Sequence, residues 1–405
     1  MANKQNSNFL FKATDVAEHL KGLYATGAED WYKMAVKFGW DKANVVSKGS
    51  STTKWINVYY TNSEGVSAPL AFRTYAETHV GQIRPLTEAA AAEMNAASKG
   101  LSLIEPRPGN PSVQVQKWSA KVETAADGIT VLTDASGNPI VPGDDKLSPM
   151  FVVMDLVSKA FAAECAERTA RGEAIVAESK RKGVTAAAVA AAAPAGAFLT
   201  PEQVTVIRKA FPAKADADAV TAGAIVGKLT VITPIQEAIS ANAKKNAGAI
   251  LPNPFARVTL KFDQSTGLPQ NVQIYDMSKS SQAGGRTIYE FATVDGEPVN
   301  ADNVHKFILP RSVFDGIIKM DSVCFSQMGI SMPTSFKALV VRQPVVGSSS
   351  SLDALYDDDT GSPAAGASTG APSGATTSAP SGAPTAASSA SSADEYDALL
   401  DELNQ

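Results

Sequence analysis

The sequence predicts an α+β chain with a β-rich body in two parts, a helical segment between them and an acidic tail. Three observations support this fold class. Short segments rich in β-branched and aromatic residues, bounded by turn residues, occur before residue 125 and recur after residue 251. The stretch between the two parts is rich in alanine and carries helix-start signals. From residue 347 onward Ser, Ala, Gly, Pro and Thr dominate, a composition that predicts disorder.

The first part of the body, residues 1–125, is predicted to begin with a helix over residues 14–24. Val16, Leu20 and Leu23 recur there at helical spacing, and Thr14 is the predicted N-cap. Strands are predicted where β-branched and aromatic residues cluster or alternate with polar ones, over residues 54–60, 70–75 and 113–118. Residues 126–148 contain three glycines and two prolines and are predicted to form a loop.

Residues 149–250 are predicted to form a helical insertion that packs beside the β-rich body. Ser148 followed by proline is a favoured helix start, and an apolar residue then recurs every four positions from Val153 to Cys165. This helix is predicted to run past Arg171. Thr200 and Thr233 are each followed by Pro and then by Gln at the third position, so a capped helix is predicted to begin at both.

The second part of the body, residues 251–346, is predicted to return to short strands separated by turn residues. Regularly spaced strands of this length are typical of a barrel or a sandwich. The six predicted strands cover residues 257–262, 272–275, 287–291, 306–309, 316–320 and 335–341.

Acidic and basic residues are unevenly distributed along the chain, because the charged residues of the tail, residues 347–405, are all acidic. The tail contains nine of the 41 acidic residues and no Lys or Arg, so the body carries 36 basic and 32 acidic residues, a net charge of +4. A mildly basic body can bind a polyanion, and an acidic tail can mimic one.

Two copies of an Asp-Ala-Leu motif with trailing acids lie in the tail, at residues 352–359 and 396–403. The linker between them, residues 360–393, has 34 residues and spans roughly 30–35 Å on average. Either copy could therefore fold back onto the body or capture a partner protein, while a passive solubilising tail is the alternative. The predicted partner-binding residues are Leu352, Leu355, Tyr356, Tyr396, Leu399, Leu400 and Leu403.

Catalytic, metal and membrane signals are missing from the sequence. The three histidines have no partner at metal-ligand spacing, and residues 223–230 lack the spacing and the hydroxyl of a phosphate-binding loop. Cys165 and Cys324 are predicted to be buried, reduced thiols. No secretory signal or membrane-spanning run is evident. These observations disfavour an enzyme, indicate no cofactor or metal, and predict an intracellular protein that does not contact membranes.

The predicted strands carry aromatic and basic residues on the faces opposite their apolar residues. In the strand from residue 257, Arg257 and Lys261 share one face while Val258 and Leu260 share the other. Exposed rings and cations on a sheet suit single-stranded nucleic acid, because bases stack on the rings and phosphates meet the cations. The alternative is that the rings belong to the core and the cations are merely solvated. The candidate nucleic-acid-binding residues are Lys54, Trp55, Tyr59, Arg73, Tyr75, Lys117, Trp118, Arg257, Lys261, Tyr275 and Arg286.

Residues 316–323, 329–333 and 337–341, together with the tail that ends at residues 394–403, resemble the single-stranded DNA-binding proteins of large eukaryotic DNA viruses and of certain phages. The resemblance implies an OB-like β-barrel with a helical insertion and a disordered acidic C-terminal tail. It also implies sequence-nonspecific binding of single-stranded DNA in replication, recombination or repair, with the tail recruiting replication proteins.

The implied location is a viral replication compartment or the host nucleus or cytoplasm, and a homo-oligomer is compatible with the resemblance. The rival hypothesis is an architectural or virion structural protein that uses its body for self-assembly.

Overall fold

The strands and helices of the computed structural model follow the predicted order of β-rich, helical and β-rich parts. The structure describes residues 9–40, 44–48, 51–75, 77–78, 83–97, 105–116, 132–133, 135, 140, 147–193, 196–236, 255–283, 286–326 and 329–344. The predicted loop at 126–148 and the tail therefore lie almost entirely outside the described residues.

The first part of the chain contributes two helices and eight strands to the described structure. The helices are α1 (Ala13–Tyr24) and α2 (Glu88–Ala97), and a short 3-10 turn spans Trp31–Met34. The strands are β1 (Phe11–Lys12), β2 (Val36–Phe38), β3 (Asn44–Lys48), β4 (Ser51–Thr61), β5 (Ser67–Pro69), β6 (Ala71–Arg73), β7 (Glu77–Thr78) and β8 (Ser112–Gln116).

The middle and last parts supply the remaining described elements. The helices are α3 (Pro149–Ser179), α4 (Ala186–Ala192), α5 (Pro201–Ala210), α6 (Lys214–Thr221) and α7 (Val304–Phe307). The strands are β9 (Phe198–Leu199), β10 (Ile225–Val226), β11 (Val231–Ile232), β12 (Ile235–Gln236), β13 (Phe255–Thr259), β14 (Gln273–Ala283), β15 (Arg286–Phe291), β16 (Thr293–Val294), β17 (Glu297–Pro298), β18 (Val313–Lys319), β19 (Ser322–Ser326), β20 (Gly329–Ser331) and β21 (Ser335–Arg342).

Two sheets share chain segments and form a curled half-barrel. The larger sheet has the order β1-β6-β18-β21-β13-β12, and the second has the order β11-β20-β19-β4-β2. The chain passes from one sheet to the other between β5 and β6, β18 and β19, β20 and β21, and β11 and β12. Where the sheets meet, Met320 N–H donates to Leu70 O at 2.9 Å and Val58 N–H donates to Asp321 O at 2.8 Å. The α+β class is confirmed, with a curled sheet at its centre.

Helix α3 fills the space inside the curled sheet. Ser148 caps it, since its Oγ accepts from Phe151 N–H at 3.2 Å, and proline occupies the first turn. The side chains from Met150 to Cys165 are mostly buried and belong to the same core as the inner faces of both sheets and of α1. The expectation that the helical insertion packs beside the body is therefore wrong for the first half of α3, which is a central part of the core.

The second half of α3 leaves the sheets and builds a small core with helices α4, α5 and α6. Ile175, Val189, Leu199 and Ile207 are buried in this second cluster. The predicted helix start at Thr200 is confirmed, because its hydroxyl accepts from Gln203 N–H and the Gln203 side chain accepts from Thr200 N–H.

The predicted N-cap of α1 is wrong, because Thr14 lies inside the helix and Lys12 is the N-cap, without a side-chain capping hydrogen bond.

Two further local predictions are wrong. Residues 306–309, predicted as a strand, lie partly in helix α7. The capping pattern at Thr233 leads into strand β12 and not into a helix, because Ile235 and Gln236 pair with strand β13. In the second case a local preference for a helix start is overridden by a sheet partner that is distant in the sequence.

Replacing Gly172 by alanine should destabilise the protein, because a Cβ there would overlap the carbonyl oxygen of Phe198. We expect the free energy of unfolding to fall by about 2 kcal/mol or more. Gly22 is the matched control: it is also helical, but its Cβ would meet no atom within 4 Å. Gly22→Ala should raise stability by up to about 1 kcal/mol. Denaturant unfolding of both variants measures the contrast, and equal shifts would contradict the packing of α3 against β9.

Candidate nucleic-acid interface

Burial alternates along strand β13 and its continuation, as the sequence predicts. Val258 and Leu260 are fully buried in the core, whereas Arg257 is half-buried on the opposite face and Lys261 is exposed. Strand β8 pairs with β13 so that Gln114 lies opposite Arg257, and Val113 and Val115 point to the core. The outer face of this strand pair is therefore basic and polar.

Arg257 is a partly desolvated cation without an anionic partner among the described residues. Its guanidinium lies 5.3 Å from the centre of the Phe255 ring. Its Nε is buried and has no hydrogen-bond partner, and Arg257 forms no ion pair with any residue that the structure describes. Burial, followed by the nearby charge of Arg107, lowers the pKa of the Arg257 guanidinium from its ordinary value. Both effects would be relieved by an anion, so this face is chemically suited to a phosphate.

A second cation and ring lie together on the outer face of the larger sheet. The Arg73 guanidinium is 4.5 Å from the centre of the Tyr75 ring, and the Tyr75 side chain is 41% exposed. Phe72, which precedes Arg73, and Thr74, which lies between Arg73 and Tyr75, are fully buried. The alternation predicted for residues 70–75 is therefore confirmed. Lys12, which is exposed, pairs with Arg73 from strand β1. Tyr75 is thus exposed beside a cation that is itself only half-exposed, with its Nε buried.

Tyr275 requires a correction. It was predicted as an exposed stacking residue, but it is only 2% exposed. Its hydroxyl donates to Gln273 Oε1 at 2.6 Å, and its ring stacks against Phe291, with 4.9 Å between the ring centres and 18° between the planes. The reason is that Phe291, paired with Tyr275 from the neighbouring strand β15, covers it.

Phe291 is therefore the exposed ring at this position, with 62% of its surface accessible. The sequence does not predict the exposure of Phe291, because an aromatic residue at the end of a strand does not show which residue of the neighbouring strand its ring will cover.

Paired residues place Asp315, Val340, Tyr275 and Phe291 in one row across the larger sheet. The neighbouring row contains Lys12, Arg73, Ile317, Ala338 and Gln273.

The second sheet carries its own pair of outward aromatic residues. Trp55 and Tyr59 on β4 are half-buried, whereas Ile56, Val58 and Tyr60 between and beside them are buried in the core. This pattern confirms the predicted faces of strand β4. Exposed Lys37 lies opposite Tyr59 on β2. Asn57, also exposed, donates from Nδ2 to the Tyr59 hydroxyl at 3.3 Å.

The candidate residues thus form three patches and not a single site. Arg257 and Lys261 lie at β13, Arg73 and Tyr75 at β6, and Trp55 and Tyr59 on β4 of the second sheet. Lys54 belongs to β4 and Arg286 to β15, but their side chains are not among those described. Lys117 and Trp118 lie outside the described residues. The predicted tail residues do so as well, namely Leu352, Leu355, Tyr356, Tyr396, Leu399, Leu400 and Leu403.

The buried ionisable cluster at α3 is structural. Glu164 accepts from Arg168 Nε at 2.6 Å and from the Tyr32 hydroxyl at 2.9 Å. Arg168 also donates to Gly196 O at 2.8 Å and lies 4.4 Å from the centre of the Trp40 ring. Burial, and then the charge of Glu164, raises the pKa of the adjacent Cys165 thiol to about 12, so it stays protonated. The network joins α3 to the segment that leads into the small helical core.

The described residues contain neither a candidate metal site nor a candidate membrane-spanning helix. Among the described residues, no group of three or more His, Cys, Asp or Glu side chains could hold a metal ion. Within the same part of the chain, no helix has the length and apolar character needed to cross a bilayer.

The chain is similar to proteins of African swine fever virus. It is 28% identical over 352 residues to a protein named "Uncharacterized protein CP312R" from a Kenyan pig isolate of African swine fever virus, covering 86% of this chain and 95% of that protein. The relatives are viral proteins. A Namibian warthog isolate has a protein of the same name that is 28% identical over 351 residues, covering 86% of this chain and 93% of that protein. No family model matches the chain.

Arg168 and Arg257 should respond differently to loss of charge. Arg168→Met should lower the free energy of unfolding by about 3 kcal/mol, because it leaves the Glu164 carboxylate buried with an incomplete set of partners. Arg257→Met should leave stability equal or higher, because it removes a cation that is desolvated and repelled. Denaturant unfolding at neutral pH tests both. A loss of stability in Arg257→Met as large as that in Arg168→Met would show that Arg257 has a stabilising partner.

Proposed function

We propose that this protein binds single-stranded DNA without sequence specificity, through cations and aromatic rings on the outer faces of its curled sheet. The observation that carries the proposal is the environment of Arg257. Its guanidinium is partly desolvated, lies against Phe255, is repelled by the charge of Arg107, and forms no ion pair with any described residue. A backbone phosphate beside the guanidinium would offset the repulsion between the two arginines.

The arrangement favours single strands over duplex. Tyr75 and Phe291 present exposed rings on a sheet surface, and half-exposed Trp55 and Tyr59 do so on the second sheet. Rings at a sheet surface can stack on unpaired bases, whereas the bases of a duplex are already stacked on one another. In the described structure Tyr75 lies near Arg73 and Tyr59 lies opposite Lys37, so base and phosphate can be contacted together at these two rings.

The charge of the chain supports the same function. The body has a net charge of +4 and the tail has nine acids and no base. We infer that the body neutralises phosphates while the leucines of the two Asp-Ala-Leu copies recruit replication proteins. An OB-like barrel that coats single strands during viral replication, recombination or repair fits these features and the viral relatives. The corresponding location is a viral replication compartment or the host nucleus or cytoplasm.

The affinity for an oligothymidylate should fall steeply with salt. Each neutralised phosphate contributes about −0.7 to the slope of the logarithm of the binding constant against the logarithm of salt concentration. Three to five contacts would give a slope of roughly −2 to −3.5. Fluorescence anisotropy between low and moderate salt measures it, with a duplex of equal length in parallel. A flat response, or equal affinity for the duplex, would refute the proposal and favour the rival hypothesis of a self-assembling structural protein.

Arg257→Met should weaken oligothymidylate binding by about fivefold to tenfold and reduce the salt slope by about 0.7, since one phosphate contact is lost. Lys21→Met is the control, because Lys21 is an exposed cation of helix α1 and lies outside the three patches. The control removes the same charge and should leave the salt slope unchanged. Equal effects of the two substitutions would mean that only net charge matters and that Arg257 makes no direct contact.

A further inference from the structure

A basic pocket lies in the small helical core, away from the sheets. Its volume is about 460 Å³, and it opens where helices α3 and α5 end. Lys180, Arg181 and Lys209 line it and are exposed. Apolar side chains of Val184, Val206 and Phe211 line it as well, and the first two are packed against the small core as partly buried residues.

The positive charge at this pocket exceeds the negative charge of the two helix ends and of the nearby Glu178. The C-terminus of a helix carries roughly half a negative charge, so the two ends account for about one cation. Glu178 pairs with Arg181 at 2.8 Å and accounts for a second. Three cations line the pocket, so about one positive charge remains. The pocket therefore attracts an anion.

The apolar lining selects among anions. A bare phosphate or a nucleic-acid backbone gains nothing from contact with valine and phenylalanine side chains. A peptide that carries both carboxylates and aliphatic side chains matches both parts of the lining, because carboxylates meet the cations while leucines cover the apolar surface. The complementary ligand is an acidic peptide that contains leucine.

The chain itself contains such a peptide. Residues 394–403 hold five acidic residues, no base, and three leucines, Leu399, Leu400 and Leu403. We propose that this segment docks in the pocket formed by α3 and α5, with its leucines on Val184, Val206 and Phe211 and its carboxylates on Lys180 and Lys209. The partner-recruiting leucines are then covered until a partner competes for them. The proposal stands on the pocket and the tail and is independent of nucleic-acid binding.

The length of the connecting chain permits this docking. Residues 345–393 separate the last described residue of the body from the docking segment, a distance of 49 residues along the chain. A segment rich in Gly and Ser of this length spans roughly 35–42 Å on average and at most about 160 Å. Tethering at this range gives an effective concentration of the order of millimolar, so that weak intrinsic affinity suffices.

The test uses a fluorescent peptide with the sequence of residues 394–405 and the full-length protein. The acceptor carries Leu399→Ser and Leu400→Ser, so that its own tail no longer competes. We expect saturable binding in anisotropy at low salt, and binding at least tenfold weaker to the natural chain, whose own tail occupies the pocket. Adding Lys180→Glu and Lys209→Glu to the acceptor should weaken peptide binding at least tenfold.

The matched control is Arg208→Glu with Lys214→Glu in the same acceptor. Both residues are exposed on the same helical unit but do not line the pocket, and the change in net charge is identical. The control should bind the peptide within twofold of the acceptor. Unfolding curves of both double variants check that each is folded.

Several outcomes would overturn the proposal. Peptide binding that is unchanged by the pocket substitutions, or reduced equally by the control, would exclude the pocket as its site. Equal peptide affinity for the natural chain and the acceptor would show that the tail does not occupy the pocket. Oligothymidylate affinity is measured in parallel. If the pocket substitutions weaken it while the peptide does not bind, the pocket is a nucleic-acid contact and not a docking site for the tail.

Discussion

The burial of helix α3 inside the curled sheet is the constraint on which the rest of the structure depends. A sheet that does not close leaves its inner face to be covered, and the apolar side chains from Met150 to Cys165 cover it. Because both sheets share this one core, their inner faces are fully used in packing. The outer face of the larger sheet is covered in part, because Ile317 and Ala338 are buried there. Half-exposed aromatic residues and cations occupy other positions of the outer faces.

Two arginines differ in how the cost of their burial is compensated. Arg168 is buried with Glu164, Gly196 and Trp40 as partners, and the Glu164 carboxylate also accepts from Tyr32, so the Arg168 charge is satisfied within the fold and links α3 to the small helical core. Arg257 is also partly desolvated, but its neighbours are a ring and another arginine. A fold tolerates an unsatisfied cation of this kind when an external anion completes it.

Charge along the chain and the two cores suggest a division of labour. The sheets present cations and rings on three separate patches, which suits an extended polymer better than a compact ligand. The small helical core presents cations beside apolar side chains, which suits an acidic peptide. Under the two proposals, nucleic acid and tail would bind at separate sites, so neither would need to displace the other. In this arrangement, protein partners would bind the tail while the body remains bound to single-stranded DNA.

The sequence by itself determined the α+β class, helix α1, the start of α3 at Ser148, the capping box at Thr200 and the faces of β4, β6 and β13, because these depend on neighbours a few residues away. Only the tertiary structure decided which rings are exposed. Tyr275 and Phe291 lie on the same outer face, and the pairing of β14 with β15 buries one beneath the other. The tertiary structure also decided that a strand, and not a helix, follows Thr233, and that α3 lies at the centre of the core. The reason is that sheet pairing and core filling join residues that are far apart along the chain.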